Sequence, residues 1–244
     1  MQQPEVRECS AGAKARPRQV NSDTAGVLVS TLQAAGARRV LDLGCGDGSV
    51  TALLAEAGFE MTGLDPSPEA LDKARARWPG LRFVAGRAEA LPPGLEPFDA
   101  ACFVNSLHHV PPEAMQAAVL GAFTALRPGG LLLIIEPLSQ GSFFRAMRPV
   151  EDETRIRAAA AAAIEALISE GRILLRDLRR WNRESRFEDL EDFVAHLARV
   201  DPDRAELARR NGSALARAWR DNIVSRDGRA VLVQPLIGWT LALA

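Results

Sequence analysis

The chain has 244 residues, a formal net charge of −1, 47% hydrophobic residues and no tyrosine. That length suits one α/β domain with an elaboration and buries roughly three quarters of the unfolded surface. The near-zero charge excludes a global field for nucleic acid or an anionic membrane. The three cysteines, Cys9, Cys45 and Cys102, lack metal-ligand spacing; they exclude a disulfide framework, point to no metal and fit a reducing, cytoplasmic location.

Residues 1–20 are polar, without the apolar centre of a signal peptide, and read as a mobile segment. Asn21 or Ser22 offers an N-cap for a helix over 23–35 that Gly36 ends, leading into a strand at 39–43. A helix over 49–57, a strand at 60–64, a helix over 68–77 and strands at 81–85 and 98–104 follow. A helix over 112–126 and a strand at 130–135 continue the alternation, which argues for a parallel sheet with helices on both faces. About ninety residues then precede the last strand, more than a crossover needs. They read as a helix over 152–170, a long strand over 172–187, and helices over 188–198 and 202–219. Strands 173–186 and 234–243 are favoured as the last two, with 230–234 and 237–243 as the alternative pairing. Ala230–Ala244 is strongly apolar, but it is too short to span a bilayer and is interrupted by Gln234 and Pro235.

Within this frame, Val40-Leu41-Asp42-Leu43-Gly44-Cys45-Gly46-Asp47-Gly48 runs a strand into a glycine-rich turn that opens a helix, a seat for a nucleoside ligand. A dinucleotide fingerprint would place its third glycine at 49, where Ser49 stands. Asp42 would oppose a pyrophosphate and attract a cationic amine. Asp65, at the end of the second strand, suits both hydroxyls of a ribose, the alternative being a surface cap for the helix at 68.

The hhDhGxGxG pattern resembles the first motif of the class I S-adenosylmethionine (SAM)-dependent methyltransferases, and four later segments extend the resemblance to about residue 136. Asp65-Pro66 stands where the ribose acceptor falls. Gly86-Arg87-Ala88-Glu89-Ala90-Leu91-Pro92 is similar to G-D-A-x-x-L-P, with Arg87 in the aspartate position, where it has no acceptor for an adenine amino group. Pro97-Phe98-Asp99 with Asn105-Ser106-Leu107-His108-His109 resembles the F-D-x-h…LHH segment of small-molecule methyltransferases. Leu126-Arg127-Pro128-Gly129-Gly130 matches the turn before the fifth strand. The base-methylating [DNS]-P-P-[YFW] element is absent, which argues against a nucleic-acid partner.

The resemblance implies a Rossmann-like, doubly wound, mostly parallel seven-stranded sheet with an antiparallel last strand. Residues 21–244 would form one domain, with 137–225 as a mainly helical lid. It implies SAM as cofactor, bound by Asp42, Gly44, Cys45, Gly46, Asp65, Pro66, Ala88, Glu89 and Asn105, and transfer of methyl to O or N of a small molecule by in-line displacement. His108 and His109 are the candidate bases, or they line the pocket. Glu136 is expected to hold a cationic acceptor or the loop at 139–142, with Phe143, Phe144, Arg145 and Arg148 at the lid's entrance. Six arginines between 172 and 186 suggest an anionic ligand if they share a face. Strand alternation instead divides them, with 172, 176, 180 and 186 on one side, and nearby acids favour solvated ion pairs. The lid is also readable as a dimer surface, which makes a homodimer one expectation. The competing class is a SAM-binding protein that regulates or does other chemistry on the same fold. A macromolecular methyltransferase is third.

Overall fold

Continuously apolar strands separated by amphipathic helices bury both faces only inside a layered sheet, and the computed structural model, describing residues 17–20, 23–95 and 97–244, has that architecture. The chain begins with β1 (Arg18–Gln19), α1 (Thr24–Ala34), β2 (Arg39–Leu43), α2 (Ser49–Glu56), β3 (Glu60–Asp65), α3 (Pro68–Arg77) and β4 (Arg82–Ala85). It continues through β5 (Phe98–Val104), α4 (Met115–Thr124), β6 (Leu126–Pro137), α5 (Gly141–Met147), α6 (Thr154–Ser169) and β7 (Ile173–Phe187). Three helices, α7 (Leu190–Val200), α8 (Asp203–Arg210) and α9 (Gly212–Asn222), lead to β8 (Val224–Arg226) and β9 (Arg229–Leu243).

The sheet order is β1-β7-β9-β6-β5-β2-β3-β4, with β8 paired to β9. Strands β2 to β6 are mutually parallel, and β9 inserts antiparallel between β6 and β7. The seven expected strands are therefore present, the favoured pairing of the last two holds, and β1 and β8 are short additions. In β2, Val40 faces the cluster beneath α1 and α2, while Leu41 and Leu43 face the cluster beneath α4 and α6. A separate apolar cluster joins α5, α7, α8 and α9 to the projecting ends of β7 and β9.

Several boundaries differ from expectation for local reasons. Residues 1–16 of the segment read as mobile lie outside the described residues, as do Asn21 and Ser22; Arg18–Gln19 are held beside β7, and Asp23 caps α1 by accepting from the Gly26 N–H (2.7 Å). The Pro128-Gly129-Gly130 turn is an irregularity inside β6: pairing passes from Phe98↔Leu126 directly to Ala100↔Leu131. The helix expected over 202–219 breaks at Asn211, which ends α8 and starts α9. In β7 the register shifts between Leu175 and Asp177, so residues beyond it change faces, and Leu175 and Leu178 both pack towards α4 and α6. Pro235 is tolerated within β9 because β6 has ended at that level; the Pro235 carbonyl accepts instead from the Leu138 N–H (2.9 Å). Gly141 (φ 88°) starts α5 so close to β9 that a Cβ there would lie 2.3 Å from Pro235 Cδ, which locks the elaboration onto the sheet.

Candidate functional site

In an open α/β sheet the ligand crevice lies beyond the carboxyl ends of the parallel strands, and the expected residues converge there. At the end of β2, Gly44, Gly46 and Gly48 take positive φ (73°, 54° and 76°). The Gly44 and Cys45 N–H groups both donate to Leu64 O (2.7 and 3.0 Å), tying the turn to β3. A Cβ on Gly44 would stand 2.6 Å from Ser106 Cβ, while one on Gly46 would meet nothing within 4 Å. One side of the turn is therefore packed against the loop after β5, and the other is open to a ligand. Ser106 Oγ secures that packing by donating to Leu43 O (2.7 Å).

Asp65 ends β3 with its carboxylate against the turn: Oδ2 accepts from Gly46 N–H and Oδ1 from Ser67 N–H, both at 2.9 Å. Each oxygen retains accepting capacity, which two vicinal hydroxyls can use. Asn105 leaves β5 with φ 53°, its N–H bonded to Ile135 O (2.8 Å) and its side-chain Oδ1 buried without a partner. Such an acceptor is costly unless a donor arrives.

Other expected contacts fall differently. Asp42 is 1% exposed, so the strand carboxylate does not line the crevice as a bare charge. Its Oδ2 accepts from Thr51 Oγ1 (2.7 Å) and its Oδ1 lies 3.8 Å from Cys102 Sγ, pinning β2 to the first turn of α2. Burial pushes its pKa up to about 6 against those two hydrogen bonds, with Asp65 adding to the rise. Cys45 is buried, and burial followed by Asp42 and Asp65 drives its thiol far above the ordinary range. Pro66 is exposed and Ala88 buried. Arg87 turns outward and donates to Glu89 Oε1 (2.6 Å); this bond holds the Glu89 carboxyl below its usual value despite desolvation, and it takes up one of the two oxygens otherwise available to an adenine.

Beyond the turn, His108 and Glu136 form a buried pair, 4% and 3% exposed. Glu136 Oε1 accepts from Leu107 N–H (2.9 Å) and Oε2 meets His108 Nδ1. Glu136 is buried and directs its bonds to Leu107 and His108 rather than to the loop at 139–142, so it stands behind His108 and does not face the crevice as the expected holder of a cationic acceptor. His109 is exposed and its ring lies tilted against that of His108, with centroids 4.2 Å apart. Phe143 and Phe144 do not form an entrance: both are buried, Phe143 against Phe193 (5.5 Å between centroids) and Phe144 beneath the Arg157 guanidinium (4.9 Å). Arg145 is bound at the surface to Asn222 (2.6 Å), and Arg148 to Asp152 (2.8 Å).

A buried ionic network beside His108 was not foreseen. Glu153 accepts from Arg157 Nε (2.8 Å) and Arg204 Nη2 (2.7 Å), Arg204 Nε reaches Glu151 (2.7 Å), and Arg157 Nη1 donates to Leu138 O (2.9 Å). The sequence carries the i,i+4 spacing of Glu153 and Arg157 but not Arg204, which arrives from α8. Among the described residues, no group of three or more His, Cys, Asp or Glu side chains could hold a metal ion, and no helix is long and apolar enough to cross a membrane.

Comparison with known proteins agrees with this geometry. Residues 40–130 match the family described as "Methyltransferase domain". An uncharacterised methyltransferase of Synechocystis is 38% identical over 99 residues, 41% of this chain and 47% of that protein. A demethylmenaquinone methyltransferase of Renibacterium salmoninarum is 29% identical over 182 residues, covering 75% of this chain and 68% of that one. The crystal structure of a putative methyltransferase from Bacillus halodurans superposes on 87% of this chain and 97% of its own, with a TM-score of 0.59 at 23% identity, and so shares the fold. Several of the curated relatives are matched over only about half their length. The similarity to methyltransferases lies chiefly in residues 40–130, the segment that carries the glycine turn, Asp65 and Asn105.

Proposed function

We propose that the chain transfers a methyl group from SAM to O or N of a small molecule. The observation that carries this reading is the convergence of an open glycine turn, the Asp65 carboxylate and the unpartnered Asn105 Oδ1 at neighbouring strand ends. The arrangement fits the cofactor's chemistry: Asp65 would offer oxygens to ribose hydroxyls, Asn105 Oδ1 would accept from an ammonium, and Ala88 and Glu89 would be the residues nearest in kind to the family's base-binding segment. Asp47, which pairs with Arg77 at 2.7 Å, puts a carboxylate on the turn, which disfavours a phosphate there. When bound, the sulfonium supplies an electrophilic methyl group for in-line displacement.

The chain's own residues then handle the acceptor. Glu136 Oε2 accepts a hydrogen bond from His108 Nδ1–H, which fixes the tautomer whose Nε2 lone pair can remove a proton from a hydroxyl or amine. Leu107 N–H in turn holds Glu136. The demethylmenaquinone methyltransferase relative supports a small-molecule acceptor. Incubation of the protein with methyl-labelled SAM and a metabolite extract tests the reading. Label in a small product supports it; label in protein or RNA, or in nothing despite SAM binding, contradicts it.

A further inference from the structure

Three of the arginines on β7 are accounted for by partners or by solvent. Arg179 donates to Asp177 (2.6 Å) and Thr31 (3.0 Å), Arg186 pairs with Asp227 (3.5 Å), and Arg176 is exposed. Arg180 has a buried Nε without a partner, but it stands where Gln19 of β1 pairs with β7, at the edge of the sheet. Arg183 differs. Its Nε is also buried without a hydrogen-bond partner, and its guanidinium sits 5.9 Å from the Phe143 ring centroid. It makes no ion pair among the described residues. Desolvation and then the neighbouring Arg157 both work against its charge. Arg183 is half-buried, and a cation whose inner N–H is buried and unbonded, with an aromatic ring beside it and a second guanidinium near, has a place for an anion.

Its position relates it to the reacting end. Arg183 pairs across the sheet with Gln234, whose Nε2 donates to Leu138 O (2.8 Å) and Gln140 O (3.3 Å), the loop that leaves β6 immediately after Glu136. Glu136 itself pairs with Ile237, three residues along β9 from Gln234, a separation of about 10 Å. Arg157 spans both regions, binding Leu138 O and approaching Gln234 Oε1 (3.5 Å) while it pairs with Glu153 next to His108.

We propose that Arg183 determines acceptor specificity by receiving an anionic oxygen group, carboxylate or phosphate, of a small molecule whose methylated atom lies at His108. This rests on the methyl-transfer reading, and the experiment keeps the two apart. Succinate and inorganic phosphate are titrated calorimetrically into the full chain saturated with S-adenosylhomocysteine, with chloride at matched ionic strength as reference. Saturable binding of either anion is expected, weakened at least tenfold by Arg183→Gln and unchanged by Arg186→Gln, with circular dichroism reporting the fold. Arg183→Lys, which keeps the charge and loses the planar fork, should weaken binding less; it also serves if the glutamine variant does not fold. Equal affinity in wild type and the Arg183 variants, or no saturable binding, overturns the proposal.

In parallel, extract separated on anion-exchange resin is offered with labelled SAM. Label in the retained fraction that falls at least tenfold with Arg183→Gln supports the assignment, and label only in the unretained fraction overturns it. Anion binding that depends on Arg183, with no label transferred in any fraction, overturns methyl transfer and leaves the anion site standing.

Discussion

Replacing Asp42 by asparagine should stabilise the protein at neutral pH and leave it nearly unchanged in acid. In the fold Asp42 titrates near 6, chiefly because burial disfavours its charge, whereas its ordinary value is 3.8. For an acid whose folded pKa is raised, the contribution to stability is complete below the unfolded pKa and is lost as pH rises through the folded one. The window is therefore pH 3.8 to 6, and the rise from 3.8 to about 6 corresponds to about 3 kcal/mol lost by pH 7. An asparagine side chain can still accept the Thr51 hydroxyl, now held at 2.7 Å from Asp42 Oδ2, and never ionises. Urea unfolding at pH 4, 5, 6, 7 and 8 measures the difference. The Asp42→Asn variant should gain about 1–3 kcal/mol over wild type at pH 7–8 and match it at pH 4. A variant less stable at pH 8 than at pH 4, relative to wild type, would show that the fold welcomes the Asp42 charge and would refute the reasoning.

Other consequences are open to direct measurement. Asp65→Ala removes an acceptor held against the turn and available to two hydroxyls, and should weaken SAM binding by about 2–3 kcal/mol in calorimetry; a change below threefold contradicts the ribose assignment. Glu136→Gln disturbs the tautomer of His108, and His108→Ala removes the base. Each should lower kcat by about 10²-fold or more with the SAM Kd unchanged, and unaltered turnover would remove the base from the account. Phe193→Ala empties a fully buried position among Phe143, Phe187 and Trp219, and should cost about 3–5 kcal/mol in urea unfolding. A smaller loss would mean that the elaboration does not unfold together with the sheet.

The parallel half of the fold was legible because local signals and tertiary demands coincide there: runs such as Ala100–Val104 are apolar on both faces, and the glycines of the turn mark the end of β2. The same coincidence made Asp65 and Asn105 readable, since a strand end fixes where a side chain goes. Beyond Glu136 the two diverge. Phe143 and Phe144 look like an exposed entrance in sequence, but α7 and α9 return from some fifty to seventy residues later to cover them. Asp42 appeared available to a ligand because sequence gives no sign that Thr51 and Cys102 close over it. Strict alternation places the arginines of β7 on faces that the register shift after Leu175 then exchanges. Arg204 could not be joined to Glu153 from the sequence, because 51 residues separate them.

The most direct test of the central claim is calorimetric titration of the full chain with SAM, with Asn105→Ala measured beside it. Saturable one-to-one binding is expected, weakened about tenfold in the variant by the loss of a hydrogen bond to an ammonium group. Absence of binding at millimolar SAM would contradict it.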